Sequence, residues 1–62
     1  MTVKEFKNTT IAKSAIKITY YNAINGRDIS NKSPLLLDKY TVIGTACNAD
    51  GSIDVDVILR IR

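Results

Sequence analysis

Residues 53–62 read IDVDVILRIR, and this stretch decides the fold. Every second position from Ile53 onward is apolar, whereas the positions between them carry Asp54, Asp56, Ile58 and two arginines. A repeat of two residues is typical of a β-strand with one buried face. The stretch therefore predicts a strand whose inward face carries Ile53, Val55, Val57, Leu59 and Ile61.

A hairpin is predicted to join this strand to the segment before it. Residues 40–47 are rich in Thr, Val and Ile, which favour strands. Between the two segments, Ala49, Asp50 and Gly51 match a three-residue loop that is built from a type I turn and a left-handed glycine. We therefore expect residues 40–47 and 53–62 to pair antiparallel.

A second hairpin is predicted in the first half of the chain. Residues 14–20 alternate between apolar and polar positions, as a half-buried strand does. Asn25 and Gly26 supply the two positive φ angles of a type I′ turn. Residues 27–30 should then fold back antiparallel on the residues before Asn25.

Helix signals stand at two places. Thr2 and Glu5 match a capping box, and the β-branched residues after Asn8 end that helix near Asn8. Ser33 and Pro34 begin one helical turn, which should place residues 35–37 in the core. The predicted fold is a single α+β domain over 1–62, with a short N-terminal helix packed on a small antiparallel sheet of two β-hairpins.

A chain of 62 residues buries only about 60% of the surface that it exposes when unfolded. Cys47 is the single cysteine and there is no histidine, which excludes an internal disulfide and every Cys/His zinc site. No metal or other cofactor is therefore expected, and self-association is the stabilising device that is left. We predict a homodimer that forms through a sheet edge or through apolar residues that one small layer leaves uncovered, because two-fold homodimers are the commonest assemblies. The outward Ile58 is the candidate contact.

The polar residues of the second hairpin do not predict catalysis. Asp54 and Asp56 share a strand face, but general acid-base chemistry needs a partner group and a cleft that so short a chain does not indicate. Cys47 has no histidine to activate it and is predicted to be a buried apolar filler. Residues 48–54 resemble the middle of a calcium-binding EF-hand loop, but its first and twelfth ligand positions fall on Ala46 and Val57. We therefore predict a hairpin turn here and a protein that is not an enzyme.

Basic residues are concentrated in the first half of the chain. The net charge is +3, and residues 1–31 contain five basic and two acidic side chains. Backbone-tracking nucleic-acid sites combine lysines with stacking aromatic rings, so nucleic-acid binding is one interpretation of this bias and an ordinary solvated surface is the other. The candidate basic face consists of Lys4, Lys7, Lys13, Lys17, Tyr21 and Arg27.

Neither a membrane partner nor secretion is expected from the sequence. The chain has no apolar run of the ~18 residues needed to span a bilayer, and Lys4, Glu5 and Lys7 interrupt its amino terminus. A lone thiol fits a reducing compartment. The sequence-based expectation is a cytoplasmic protein.

Four segments, TVKEF at 2–6, the Asn25-Gly26 turn, LDKYTV at 37–42 and DGSI at 50–53, resemble the layout of small accessory proteins of phages and mobile elements of Gram-positive bacteria. The resemblance implies an accessory role and assigns no active-site residue. It implies a non-catalytic protein-binding module that modulates or inhibits a bacterial host protein, such as a component of a defence system. The alternative that the basic residues leave open is a small nucleic-acid-binding protein.

Overall fold

The computed structural model describes residues 1–59 of the chain. The fold belongs to the α+β class, with short helices and one three-stranded sheet. Among residues 1–59, no helix has the length and apolarity to cross a membrane. The elements in chain order are α1 (Val3–Lys7), α2 (Thr10–Ser14), β1 (Ile18–Asn22), α3 (Pro34–Leu37), β2 (Thr41–Cys47) and β3 (Ile53–Ile58).

The predicted strand at the end of the chain is the centre of the sheet. The strand order is β1-β3-β2, and β3 alternates as the sequence indicates, with Ile53, Val55 and Val57 buried. Leu59, which was expected to continue the inward face, follows the strand and is exposed. The positions predicted for Arg60, Ile61 and Arg62 lie outside the described residues.

The prediction of two hairpins in an antiparallel sheet was wrong, because β1 pairs with β3 in parallel. Tyr20 stands opposite Val55 in this pairing, and the chain returns from the end of β1 through α3 and β2 before it forms β3. Parallel neighbours need such a crossover, whereas hairpins make antiparallel neighbours. The sheet is therefore mixed.

At Asn25 and Gly26 the chain reverses direction, but the expected hairpin of two strands does not form. Gly26 has a φ of 71°, but no non-glycine residue within 1–59 has a positive φ, so the turn is not type I′. Instead the Asn25 side chain accepts a hydrogen bond from the Arg27 amide at 3.0 Å. After the turn, a single antiparallel bridge joins Asp28 to Tyr21, and residues 27–30 form no strand.

The first helix has the predicted start. The amide of Glu5 donates to the Thr2 hydroxyl at 3.2 Å, and the amide of Thr2 donates to the Glu5 carboxylate at 2.9 Å. The Glu5 carboxylate also accepts a hydrogen bond from the Thr2 hydroxyl at 3.3 Å. The bonds that the carboxylate accepts from Thr2 hold the pKa of Glu5 below its ordinary value, the bond from the amide most strongly. The helix ends at Lys7, as expected near Asn8.

A second short helix, α2, was not predicted. Thr9 caps it by accepting from the Ala12 amide at 3.2 Å, and Ala12 is buried in the core. Because α2 extends to Ser14, the strand predicted over 14–20 begins only at Ile18.

The core lies on one face of the sheet, beneath α1, α2 and α3. The helical turn predicted at Ser33 and Pro34 is present, but only Leu37 among its leucines is buried, whereas Leu35 and Leu36 are exposed. The opposite face of β3 carries Asp54, Asp56 and Ile58, and no helix within residues 1–59 covers it. The core consists of Val3, Phe6, Ala12, Tyr20, Ile29, Leu37, Tyr40, Ile53, Val55 and Val57.

The hairpin between β2 and β3 confirms the prediction. The Asn48 amide donates to the Ser52 carbonyl at 2.9 Å, and Gly51 has a φ of 93°. The Asp50 carboxylate accepts from both the hydroxyl and the amide of Ser52, at 2.7 and 2.9 Å. Both bonds lower the pKa of Asp50, and the bond from the Ser52 hydroxyl lowers it most.

Candidate functional site

The outer edge of β1 is covered by the chain itself. The Asn22 amide donates to the Arg27 carbonyl and the Ile29 amide donates to the Tyr20 carbonyl, both at 2.8 Å. The Ser30 hydroxyl accepts from the Tyr20 amide at 2.8 Å. Residues 27–30 thus take the hydrogen-bonding positions that another strand would use.

The outer edge of β2 is covered only at its beginning. The Val3 amide donates to the Tyr40 carbonyl at 2.9 Å, and the Val42 amide donates to the Met1 carbonyl at 2.7 Å. The pairing of β2 with β3 then shifts in register between Val42 and Gly44, which places a β-bulge at Ile43. The bulge marks the point at which the cover by the first residues of the chain ends.

We call residues 43–47 the free edge. The Asn48 amide bonds to β3, and backbone polar groups of alternate residues in a strand point to opposite sides. Those of Gly44 and Ala46 therefore face β3, whereas those of Thr45 and Cys47 face away from the sheet. Within residues 1–59, the amides of Thr45 and Cys47 have no backbone partner on the outward side.

The free edge lacks charged residues and proline, which are two of the usual protections against strand pairing, although it carries a third, the bulge at Ile43. Folded proteins protect exposed edges with lysine, proline or another charged residue, yet residues 41–47 read TVIGTAC. Ile43 is 52% exposed. Cys47 is exposed as well, so the prediction that it is a buried filler was wrong.

An apolar cavity opens beside the end of the free edge. It has a volume of about 220 Å³ and lies between α2 and the hairpin, where Ile11, Ala15, Cys47 and Ile53 contribute to its wall. Cys47 stands opposite Ile53 in the register, so the cavity is on the helix-covered face of the sheet. Ile11 is 61% exposed at its mouth.

The opposite, open face is acidic next to the free edge. Asp54 pairs in register with Ala46, and Asp56 pairs with Gly44. A Cβ atom built on Gly44 would lie 3.7 Å from Oδ2 of Asp56, so this carboxylate leans over the glycine towards the edge strand. Within residues 1–59 neither carboxylate forms an ion pair. On β1 they face Thr19 and Tyr21.

The structure does not place the candidate basic residues on one face. Lys4 and Lys7 belong to α1 and Lys13 to α2, whereas Tyr21 lies on the open face opposite Asp56. Lys7 is paired with Asp38 at 2.6 Å. Lys17 directly precedes β1, and Arg27 follows the turn after it. The candidate residues are therefore spread over several parts of the fold, and nucleic-acid binding by them stays a prediction.

Two other candidates from the sequence are the calcium-binding loop around Asp50 and the dimer contact at Ile58. The Asp50 carboxylate, which the calcium-loop reading would use as a ligand, is engaged within the turn by Ser52. No group of three or more Cys, Asp or Glu side chains within residues 1–59 is placed to hold a metal ion. Ile58, the candidate dimer contact, is half-buried on the open face opposite Thr41.

Sequence reasoning expected an exposed sheet edge but did not locate it, although one signal for its position was present. Thr45 and Ile43 were assigned to a strand, but only the strand order shows that this strand is an outer one. The signal was the absence of charge and proline over residues 41–47, which is a feature of a strand that can pair further.

Within the described residues, the fold and the edge define a small α+β protein with a mixed sheet, in which the outer edge of β2 is uncovered after Val42. In comparisons with known proteins, no family model, curated protein or solved structure matches the chain.

Proposed function

We propose that this chain is a non-catalytic protein-binding module that captures an extended segment of another protein at its free edge. The observation that carries the proposal is the outward row of backbone groups at Thr45 and Cys47, which lies beside exposed apolar side chains. Strand addition of this kind uses main-chain hydrogen bonds for affinity and side-chain pockets for selectivity.

The other edge of the sheet makes the free edge the favoured position. Residues 27–30 occupy the hydrogen-bonding groups of β1, whereas nothing within residues 1–59 covers β2 in this way after Val42. An added strand would extend the sheet from three strands to four and would bury Ile43 and Cys47. Both changes favour binding, because the chain alone buries little apolar surface.

The resemblance to accessory proteins of phages and mobile elements indicates that the bound protein would be a bacterial host protein. Capture of a strand from a bacterial host protein would block or alter whatever that strand does in its own protein. Modulation or inhibition of a host component is thus part of the proposal, and the host component itself is to be found by experiment.

A matched pair of variants tests strand addition. Thr45→Pro removes an outward amide that β3 does not use, and proline is tolerated on the outer side of edge strands. Thr45→Ala shortens the same side chain but keeps the amide. Peptides selected from a random display library on the wild-type protein should lose binding to Thr45→Pro by tenfold or more, roughly the value of one well-formed backbone hydrogen bond, and should retain it with Thr45→Ala.

Amide hydrogen exchange gives a second measurement that needs no variant. We expect exchange at Thr45 and Cys47 to slow when a selected peptide is added, since their amides become hydrogen-bonded. Peptides that bind Thr45→Pro as well as wild type, without slowing these amides, would refute strand addition. Salt-sensitive binding of single-stranded DNA that is unaffected by Thr45→Pro would instead favour the nucleic-acid alternative.

A further inference from the structure

The two sides of the free edge differ in chemistry, and this difference specifies what an added strand should carry. On the open face, Gly44 and Ala46 have little or no side chain to separate the edge from Asp54 and Asp56. Neighbouring strands lie about 4.8 Å apart. A long side chain on the added strand, opposite Gly44, can therefore cross the glycine and reach the Asp56 carboxylate. Oδ2 of Asp56 lies 3.7 Å from a Cβ atom built on Gly44.

That side chain should be cationic. Among the strand residues on the open face, Thr19, Tyr21, Thr41 and Ile58 carry no charge. Lys17, which directly precedes β1, forms no ion pair with either carboxylate within residues 1–59. A lysine or arginine on the added strand would supply a compensating cation. Complementary charges in contact fix the register of pairing.

On the helix-covered face the same strand meets an apolar surface. The cavity between α2 and the hairpin begins at Cys47, and its wall includes Ile11, Ala15 and Ile53. A partner residue opposite Cys47 points to this side of the sheet and lies next to the cavity. An apolar side chain there would cover Ile11, which is otherwise mostly exposed.

Successive residues of a strand point to opposite faces. We propose that the segment captured at the free edge is an extended peptide in which lysine or arginine alternates with apolar residues. This proposal rests on the strand addition proposed above. The apolar side chains face α2, with one of them opposite Cys47 at the cavity. The basic side chains cross Gly44 and Ala46 to reach Asp56 and Asp54.

A second copy of this chain fits the free edge less well. Residues 41–47 contain no lysine or arginine, so pairing of β2 with its own copy would bring no cation to Asp54 or Asp56. It would also add the two carboxylates of the copy to the same surface. The charge of the open face therefore favours a foreign, basic strand.

Three fluorescent peptides test the inference. Their sequences are Val-Lys-Val-Lys-Val-Lys, Val-Glu-Val-Glu-Val-Glu and Val-Ser-Val-Ser-Val-Ser, and binding is measured by anisotropy at low salt. The lysine peptide should bind most tightly and the glutamate peptide least. Asp56→Asn should weaken the lysine peptide roughly two- to fivefold, the range for one exposed ion pair, and should leave the serine peptide unchanged.

Matched controls separate the two faces. Asp28→Asn removes a carboxylate on the far side of β1 and should not alter binding of any of the three peptides. Ile11→Ser should weaken all three, because each presents valine to the cavity, whereas Ile24→Ser changes an exposed isoleucine in the turn after β1 and should have no effect.

The outcomes distinguish this inference from the proposed function. Equal binding of the three peptides, abolished by Thr45→Pro, would overturn the basic and apolar pattern and leave strand addition intact. Binding of none of them at the free edge would count against both. A dimer in sedimentation equilibrium that is lost in Thr45→Pro would assign the edge to a second copy and refute the foreign partner.

Discussion

Gly51 and Gly26 both adopt a positive φ, but their surroundings differ. Gly51 has the larger φ, 93° against 71°, and lies further from the left-handed region near +57° that other residues can enter. A Cβ atom on Gly51 would lie 2.9 Å from Cδ1 of Ile16, whereas nothing lies within 4 Å of one on Gly26. Ile16 is exposed and can turn aside, so the backbone angle carries most of the difference. We therefore expect Gly51→Val to lower the free energy of unfolding by about 1 kcal/mol more than Gly26→Val does.

Urea unfolding of the two variants measures this difference directly. Because the substitution is the same, its effect on the unfolded chain largely cancels. Equal midpoints would show that the hairpin between β2 and β3 tolerates strain as well as the turn after β1 does. A larger loss at Gly26 would reverse our ranking of the two turns.

At the scale of elements, α3 offers a comparison between neighbouring leucines. Leu37 is 5% exposed and packs in the core, whereas Leu36 is 52% exposed. Leu37→Ala should cost about 2–5 kcal/mol, since it removes buried methyl groups and leaves a cavity. Leu36→Ala should change stability by no more than about 0.5 kcal/mol, as a surface substitution does.

Thermal unfolding followed by circular dichroism checks this prediction. Helix propensity hardly separates the two variants, because both replace leucine by alanine within the same short helix. Similar midpoints for both would mean that α3 is a peripheral turn and that Leu37 does not hold it against the sheet.

Elements that depend on nearby residues could be predicted from the sequence. The capping box of Thr2 and Glu5 and the loop around Gly51 each form through contacts between residues that are close in the chain. The parallel pairing of Tyr20 with Val55 could not be predicted in this way, since alternation identifies a strand but not its neighbour. Helix α2 was missed because β-branched residues disfavour helices, and here the Thr9 cap and the burial of Ala12 outweigh that preference.

The candidate site shows the same division between local and global information. Composition indicated that residues 41–47 lack charge, but the strand order was needed to show that they form an edge. The basic face was proposed from a charge bias along the chain. In the fold, the lysines of α1 and α2 lie on one side of the sheet and Tyr21 lies on the other.

At the scale of the whole molecule, the sheet presents an open face that a second copy could cover. Ile58 is the large aliphatic side chain of that face within the described strands, and it is half-buried beside Thr41. The homodimer expected from the sequence stays a prediction, and Ile58 is the residue through which to test it.

Sedimentation equilibrium over a wide concentration range should detect association of the 6.8 kDa chain through this face. Ile58→Lys should weaken it, because a charge would replace the apolar contact, whereas Ile24→Lys should not. Asp54 and Asp56 lie on the same face, so two copies would bring like charges together. Added salt screens such repulsion and should strengthen the dimer, although it would weaken a basic peptide at the free edge. A monomer at every concentration and salt level would contradict self-association and leave the open face to other partners.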